Sequence, residues 1–70
     1  MGVFYSRHAR DRMVQRSISD SEVEEVLSSY DIEYPDREGN RVLIGRPEGR
    51  RIKVVVRKDS NPPFVITVAD

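Results

Sequence analysis

The stretch Arg51-Ile52-Lys53-Val54-Val55-Val56-Arg57 is the strongest strand signal in the sequence, and its two faces differ. Successive side chains of a strand point to opposite faces of the sheet. One face is apolar and is predicted to pack on the core: Ile52, Val54 and Val56. The other face is predicted to carry a basic stripe: Arg51, Lys53 and Arg57. The alternative reading is that any sheet covered on one side needs a polar outer face, which lysine and arginine supply.

Three shorter strands are predicted around this one, at 32–34, 41–46 and 64–68. Turns at 38–40 and 47–49 and a loop at 59–63 separate them, and Pro35 confines the first strand to an edge. In the last strand one apolar set is predicted to face the core: Phe64, Ile66 and Val68. Thr67 would then lie on the basic face. Four strands joined by short turns indicate an antiparallel meander.

Two helices are predicted before the strands. Residues 5–16 form the first, with Ser6 as its N-cap. Ser19 and Glu22 have the spacing of a capping box at the start of the second. Helices followed by a run of strands are typical of an α+β fold. The sequence therefore predicts a single α+β domain over residues 1–70, with two N-terminal helices packed on one face of a four-stranded antiparallel meander sheet.

Length and composition restrict the function classes. The chain has 70 residues and no cysteine, so it has room for one domain without disulfides or thiolate metal ligands. Its N-terminal residues lack the apolar stretch of a signal peptide, and no run is long enough to span a membrane. A cytoplasmic protein with no cofactor, no metal and no membrane partner is expected.

The formal net charge is zero, but the charges are segregated along the chain. Residues 6–16 are basic, residues 20–38 are acidic, and residues 41–58 are basic again. Ten of the twelve basic residues are arginine, which suits bidentate contacts with phosphate or carboxylate. Two interpretations stay open: the segments pair with one another inside the domain, or they form a face for nucleic acid or another charged partner.

His8 is the only histidine, and Arg12 lies one helical turn after it. An imidazole with a pKa near neutrality can act as general acid or base in RNA cleavage, while arginines hold the phosphate and stabilise developing charge. The alternative is a packed, hydrogen-bonded histidine, with Arg12 and Arg16 pairing with acids of the second helix. Few aromatic side chains are predicted to be exposed, which disfavours extended base stacking.

The run Ser6-Arg7-His8-Ala9-Arg10-Asp11-Arg12-Met13-Val14-Gln15-Arg16-Ser17-Ile18-Ser19 resembles the helix opening of a family of small prokaryotic domains of unknown function. That family is distantly similar to RelE-type toxins of the barnase–EndoU–colicin–RelE ribonuclease fold class. The resemblance implies a RelE-like fold and metal-independent RNA cleavage, often of ribosome-associated mRNA, with an antitoxin protein as partner. It implies a catalytic set: His8, Arg12, Arg57 and Thr67. Further RNA-binding residues are expected from the helix motif and the basic stripe: Arg16, Arg51 and Lys53.

Two other functions remain open at this point. The domain could be a non-catalytic module that binds RNA or an acidic protein. It could also be a structural domain that forms a homodimer, for which the edge strand at 32–34 offers a pairing site that Pro35 limits.

Overall fold

A five-stranded mixed sheet, with both helices on one face, forms the body of the computed structural model, which describes residues 2–70. Along the chain the elements are β1 (Phe4–Tyr5), α1 (Arg7–Arg16), α2 (Asp20–Ser28), β2 (Ile32–Pro35), β3 (Arg41–Gly45), a 3₁₀ turn (Pro47–Gly49), β4 (Ile52–Val56) and β5 (Phe64–Ala69). The strand order across the sheet is β1-β5-β4-β3-β2. The prediction of a short strand with Pro35 at the sheet edge is confirmed, since β2 is the outermost strand.

The predicted four-stranded antiparallel meander is wrong, because a fifth strand is present and pairs in parallel. Phe4 and Tyr5 of β1 lie beside Phe64 and Val65 of β5. Tyr5, predicted from the sequence to lie in the first helix, is part of β1, and α1 begins only at Arg7. A strand of two residues has no readable periodicity, and its pairing partner lies at the far end of the sequence. Nothing local in the sequence therefore distinguishes it from a helix start.

Both helix starts are capped as predicted. The Ser6 hydroxyl accepts a hydrogen bond from the Ala9 N–H at 2.9 Å, which satisfies one of the free amides of the first turn of α1. At α2 the Ser19 side chain accepts from the Glu22 N–H, and the Glu22 carboxylate accepts from the Ser19 N–H. This reciprocal pair is the predicted capping box.

The main core lies between the helices and the sheet. Helical residues with apolar side chains pack there against every second residue of β4, and all of them are buried: Ala9, Met13, Val23, Val26, Ile52, Val54 and Val56. Leu43 of β3 joins this cluster and is only 1% exposed. The predicted apolar face of β4 is thus confirmed, and the other face of the sheet is left without a helix.

The predicted orientation of β5 is only partly right. Val65 and Val68 face the helices, whereas Ile66 packs on the opposite face. The reason is an irregularity in the ladder, in which Val55 pairs with Thr67 but the next residue, Val56, pairs with Val65. One extra residue in a strand shifts the alternation of its side chains beyond that point. A nearly all-apolar stretch such as 64–68 does not reveal that shift.

Candidate nucleic-acid interface

The sheet face opposite the helices, called the open face here, has an apolar centre. Val42, Ile44 and Val55 pack together there with Ile66, and this second cluster contains no helical residue. Val42 is only 4% exposed although no helix covers it, so the side chains around it must exclude water. The open face is therefore a well-packed platform rather than a loose polar surface.

The alternation of β4 assigns three cations of the strand and its flanks to this face, and we call them the cation strip: Arg51, Lys53 and Arg57. Lys53 lies between Ile44 and Ala69 in the register and is half-buried, so its aliphatic stem covers part of the apolar centre. The Arg57 guanidinium lies over the Phe64 ring at 4.3 Å from its centroid. Within residues 2–70, no ion pair engages any member of the strip.

Carboxylates are absent from the strand positions that form the open face between Phe4 and Ala69. The register assigns only apolar, aromatic, hydroxyl and basic side chains to this side of β1 to β5. The acids of α2 lie across the sheet, because α2 packs on the helix side of β3 and β4. The neutral chain is therefore polarised: the three cations of the strip, which have no carboxylate partner within residues 2–70, face away from its acidic helix.

Two aromatic side chains at opposite edges of the open face are exposed, contrary to the expectation from the sequence. Phe4 on β1 pairs with Phe64 and is 58% exposed. Tyr34 on β2 pairs with Val42 and is 44% exposed. The alternation around Glu33 could have identified Tyr34 as a residue of this face, but no sequence signal marks Phe4.

The predicted catalytic residues are not brought together. His8 is exposed on α1, whereas Arg57 lies on the other face of the sheet from α1. Arg12 is half-buried, and its Nε donates to the Val68 carbonyl oxygen at 3.5 Å, at the outer side of β5. Thr67 lies beside Val55 on the open face. Among residues 2–70 no side-chain hydrogen bond or ion pair joins any two of these four residues, and no enclosed pocket is present.

Arg16, predicted to bind RNA, lies in an ion-pair cluster with Arg50 and Asp70 at the C-terminal end of α1. Its Nε lies 3.9 Å from the Asp70 carboxylate, which also receives a 2.9 Å contact from Arg50. The Arg50 guanidinium donates to the Arg16 and Ser17 carbonyl oxygens and so satisfies free acceptors at the helix end. These contacts give Arg16 a structural role at the helix end, and its binding of RNA stays a prediction.

The ion pairs of Asp70 with Arg16 and Arg50 should make the fold less stable in acid. The hydrogen bond from Arg50 lowers the pKa of Asp70 below its usual value of 3.8. A carboxylate with a lowered folded-state pKa stabilises the fold above its unfolded-state pKa, and this contribution is lost as the pH falls through the folded value. The stability lost by Asp70→Asn should therefore be larger near pH 7 than near pH 3 in urea unfolding. An equal loss at both pH values would contradict the role assigned to this pair.

No group of three or more histidine or acidic side chains suited to a metal ion occurs in residues 2–70. Over the same range, neither helix has the length and apolar character that crossing a membrane requires.

A comparison with known protein families gives a match. Residues 5–70 fit the family model described as Domain of unknown function (DUF4258). Neither a curated protein nor a solved structure matches the chain.

Proposed function

We propose that this chain, which belongs to the DUF4258 family of domains of unknown function, binds RNA through its open face. The family description names no activity, so the proposal rests on the surface of the sheet. One observation carries the proposal. The cation strip of Arg51, Lys53 and Arg57 lies on a strand surface without carboxylates. Phosphate contacts by lysine and arginine supply most of the affinity of proteins for nucleic acids. An RNA ligand is consistent with the cytoplasmic location expected from the sequence.

The polarity of the domain supports a polyanion over an acidic protein patch. Four cations outside the strip already have carboxylate partners, in contacts of 2.7 to 3.9 Å: Arg10, Arg16, Arg41 and Arg50. The strip does not take part in this pairing. Its members follow a single strand, and the distance from residue 51 to residue 57 is about 20 Å at the usual rise per residue. Cations spaced along one strand can hold phosphates at several points of the open face.

RNA binding and its salt dependence test this proposal. Fluorescence anisotropy with a labelled uridine oligonucleotide should show saturable binding. If three phosphates are neutralised, the logarithm of the association constant should fall with the logarithm of salt concentration with a slope of about −2. Lys53→Ala should make that slope less steep by about 0.7. Arg10→Ala is the matched control, because Arg10 pairs with Asp20 on the helix side and its loss should leave the slope unchanged. Absence of saturable binding would refute the proposal.

A ribonuclease is a second candidate, favoured by the position of Arg12. Arg12 lies one helical turn after His8. Its side chain donates to the carbonyl oxygen of Val68 in β5, the residue next to Thr67. Arg12 therefore links the helix that carries the imidazole to the strand that carries Thr67. This reading keeps the toxin-like activity and antitoxin partner that the resemblance to RelE-type toxins implies.

Cleavage assays separate the two candidates. If the domain is a metal-independent ribonuclease, it should cleave RNA in the presence of a chelator, and His8→Ala should lower the rate by about 10²- to 10⁴-fold through loss of general acid–base catalysis. Gln15→Ala, another exposed change on α1, should leave the rate unchanged. Cleavage that survives His8→Ala would remove His8 from the mechanism, and binding without any product would leave the non-catalytic reading.

A further inference from the structure

We infer that the RNA on the open face is single-stranded and crosses the strands of the sheet, with unpaired bases stacked on Phe4 and Tyr34. This inference rests on the proposed RNA binding and adds the class of RNA and its path. It starts from two aromatic side chains that the fold leaves exposed. Aromatic residues ordinarily gain stability from burial, so exposure at both ends of one platform is an arrangement that packing does not explain.

The register gives the path. Phe4 lies beside Phe64, and the Phe64 carbonyl oxygen accepts from the Arg57 N–H. On the other side of β4, Val42 of β3 pairs with Val55 of β4 and with Tyr34 of β2. Across the strands, Phe4 and Tyr34 lie four inter-strand spacings apart, about 19 Å, and their rows are offset by two residues along the strands. The cation strip runs along β4, between these two edges, so a chain from Phe4 to Tyr34 crosses the strip where Arg57 and Val55 lie.

The chemistry of this path favours single strands. A base can stack on an aromatic ring only when it is free of its complementary strand, and such stacking tolerates any base sequence. Duplex RNA presents phosphates and 2′-hydroxyls, with its bases stacked inside. A duplex would therefore use the cations of the strip but leave Phe4 and Tyr34 without bases. Sheets that carry exposed aromatics and bind unpaired bases are an established mode of RNA recognition.

The alternative occupants of this face are less well supported. A second copy of the domain could cover the same apolar edges. Its own open face would then bring a second cation strip against the first, and like charges facing each other oppose association. Pairing through the β2 edge is limited as well, because Pro35 has no N–H to donate.

The test compares three ligands by fluorescence anisotropy: a single-stranded uridine octamer, an octamer of the same backbone without bases, and a blunt RNA duplex. The single strand should bind at least tenfold more tightly than the other two. Phe4→Ala and Tyr34→Ala should each weaken binding of the single strand by about five- to a hundredfold, with little effect on the baseless octamer. Phe4→Tyr, which keeps a ring, should retain the affinity. Val14→Ala is the control, because Val14 is 81% exposed on α1, away from the open face.

The outcomes separate this inference from the proposal beneath it. Equal affinity for all three ligands, with unchanged binding by Phe4→Ala and Tyr34→Ala, would overturn the single-strand path while RNA binding stands. Loss of a dimer in sedimentation on Phe4→Ala, without loss of RNA affinity, would overturn it in favour of a second copy. No binding of any RNA would overturn both. Circular dichroism of each variant checks that the fold is intact; if Phe4→Ala unfolds, Tyr34→Ala and the baseless octamer still test the stacking.

Discussion

Lys53→Glu combined with Arg57→Glu should weaken RNA binding by at least about a hundredfold. Each substitution removes a charge-assisted phosphate contact, which contributes about 1.5–3 kcal/mol, and two such losses correspond to more than two decades in the dissociation constant. The introduced carboxylates also repel phosphate. Because Lys53 is only half-buried and Arg57 is exposed, the fold should tolerate both changes. Anisotropy titration at fixed salt measures the effect.

The matched control reverses the same number of charges on the helix side. Arg7→Glu with Arg10→Glu changes the net charge equally, but both residues lie in the first two turns of α1, where the helix dipole favours negative charge. This variant should lose no more than a few-fold in affinity. Equal weakening by both variants would mean that net charge alone governs binding and that the open face has no special role.

Leu43→Ala should bring the domain close to the point at which it unfolds. Leu43 is 1% exposed and packs in the cluster between the helices and the sheet. Truncation of a buried leucine to alanine costs about 2–5 kcal/mol, through lost transfer free energy and the cavity that remains. A domain of 70 residues has a total stability of only about 3.5–10 kcal/mol at the usual value per residue.

Urea unfolding followed by circular dichroism tests this expectation. The midpoint for Leu43→Ala should move sharply to lower urea concentration, and at the low end of the stability range the variant should be unfolded without denaturant. Val14→Ala removes apolar atoms from an exposed site and should change the free energy of unfolding by no more than about 0.5 kcal/mol. A loss below 1 kcal/mol for Leu43→Ala would indicate that this cluster contributes less than its burial implies.

The parts of the fold that were predictable are those whose causes are local. The capping box of Ser19 and Glu22 and the alternation from Ile52 to Val56 both arise from neighbouring residues. Strand β1 and the shift in β5 depend on contacts across the sheet. Phe4 is held by Phe64 and the Pro63 carbonyl, and no short window of sequence contains both partners.

The candidate site divides in the same way. The cation strip was predictable, because three of its features lie within seven consecutive residues: charge, spacing and a common face. The predicted convergence of His8 and Arg12 with Arg57 is not observed, because α1 covers the face of the sheet opposite Arg57. The sequence does not show which face a helix covers. Phe4 and Tyr34 could not be predicted as residues of the site, because their positions follow from the strand order, which puts β1 and β2 at the two edges of the sheet.

The pairing of β1 with β5 also affects how the molecule assembles. The Ser6 hydroxyl donates to the Ile66 carbonyl across 60 residues of sequence, so this contact closes a loop of almost the entire chain, at a higher entropic cost than a short hairpin. The hairpins of β2, β3, β4 and β5 need much smaller loops and can form earlier. With two residues and few buried contacts, β1 should be the last strand to dock and the first to detach. The edge that carries Phe4 is thus the least stable part of the sheet, and a ligand bound there would hold the two ends of the chain together.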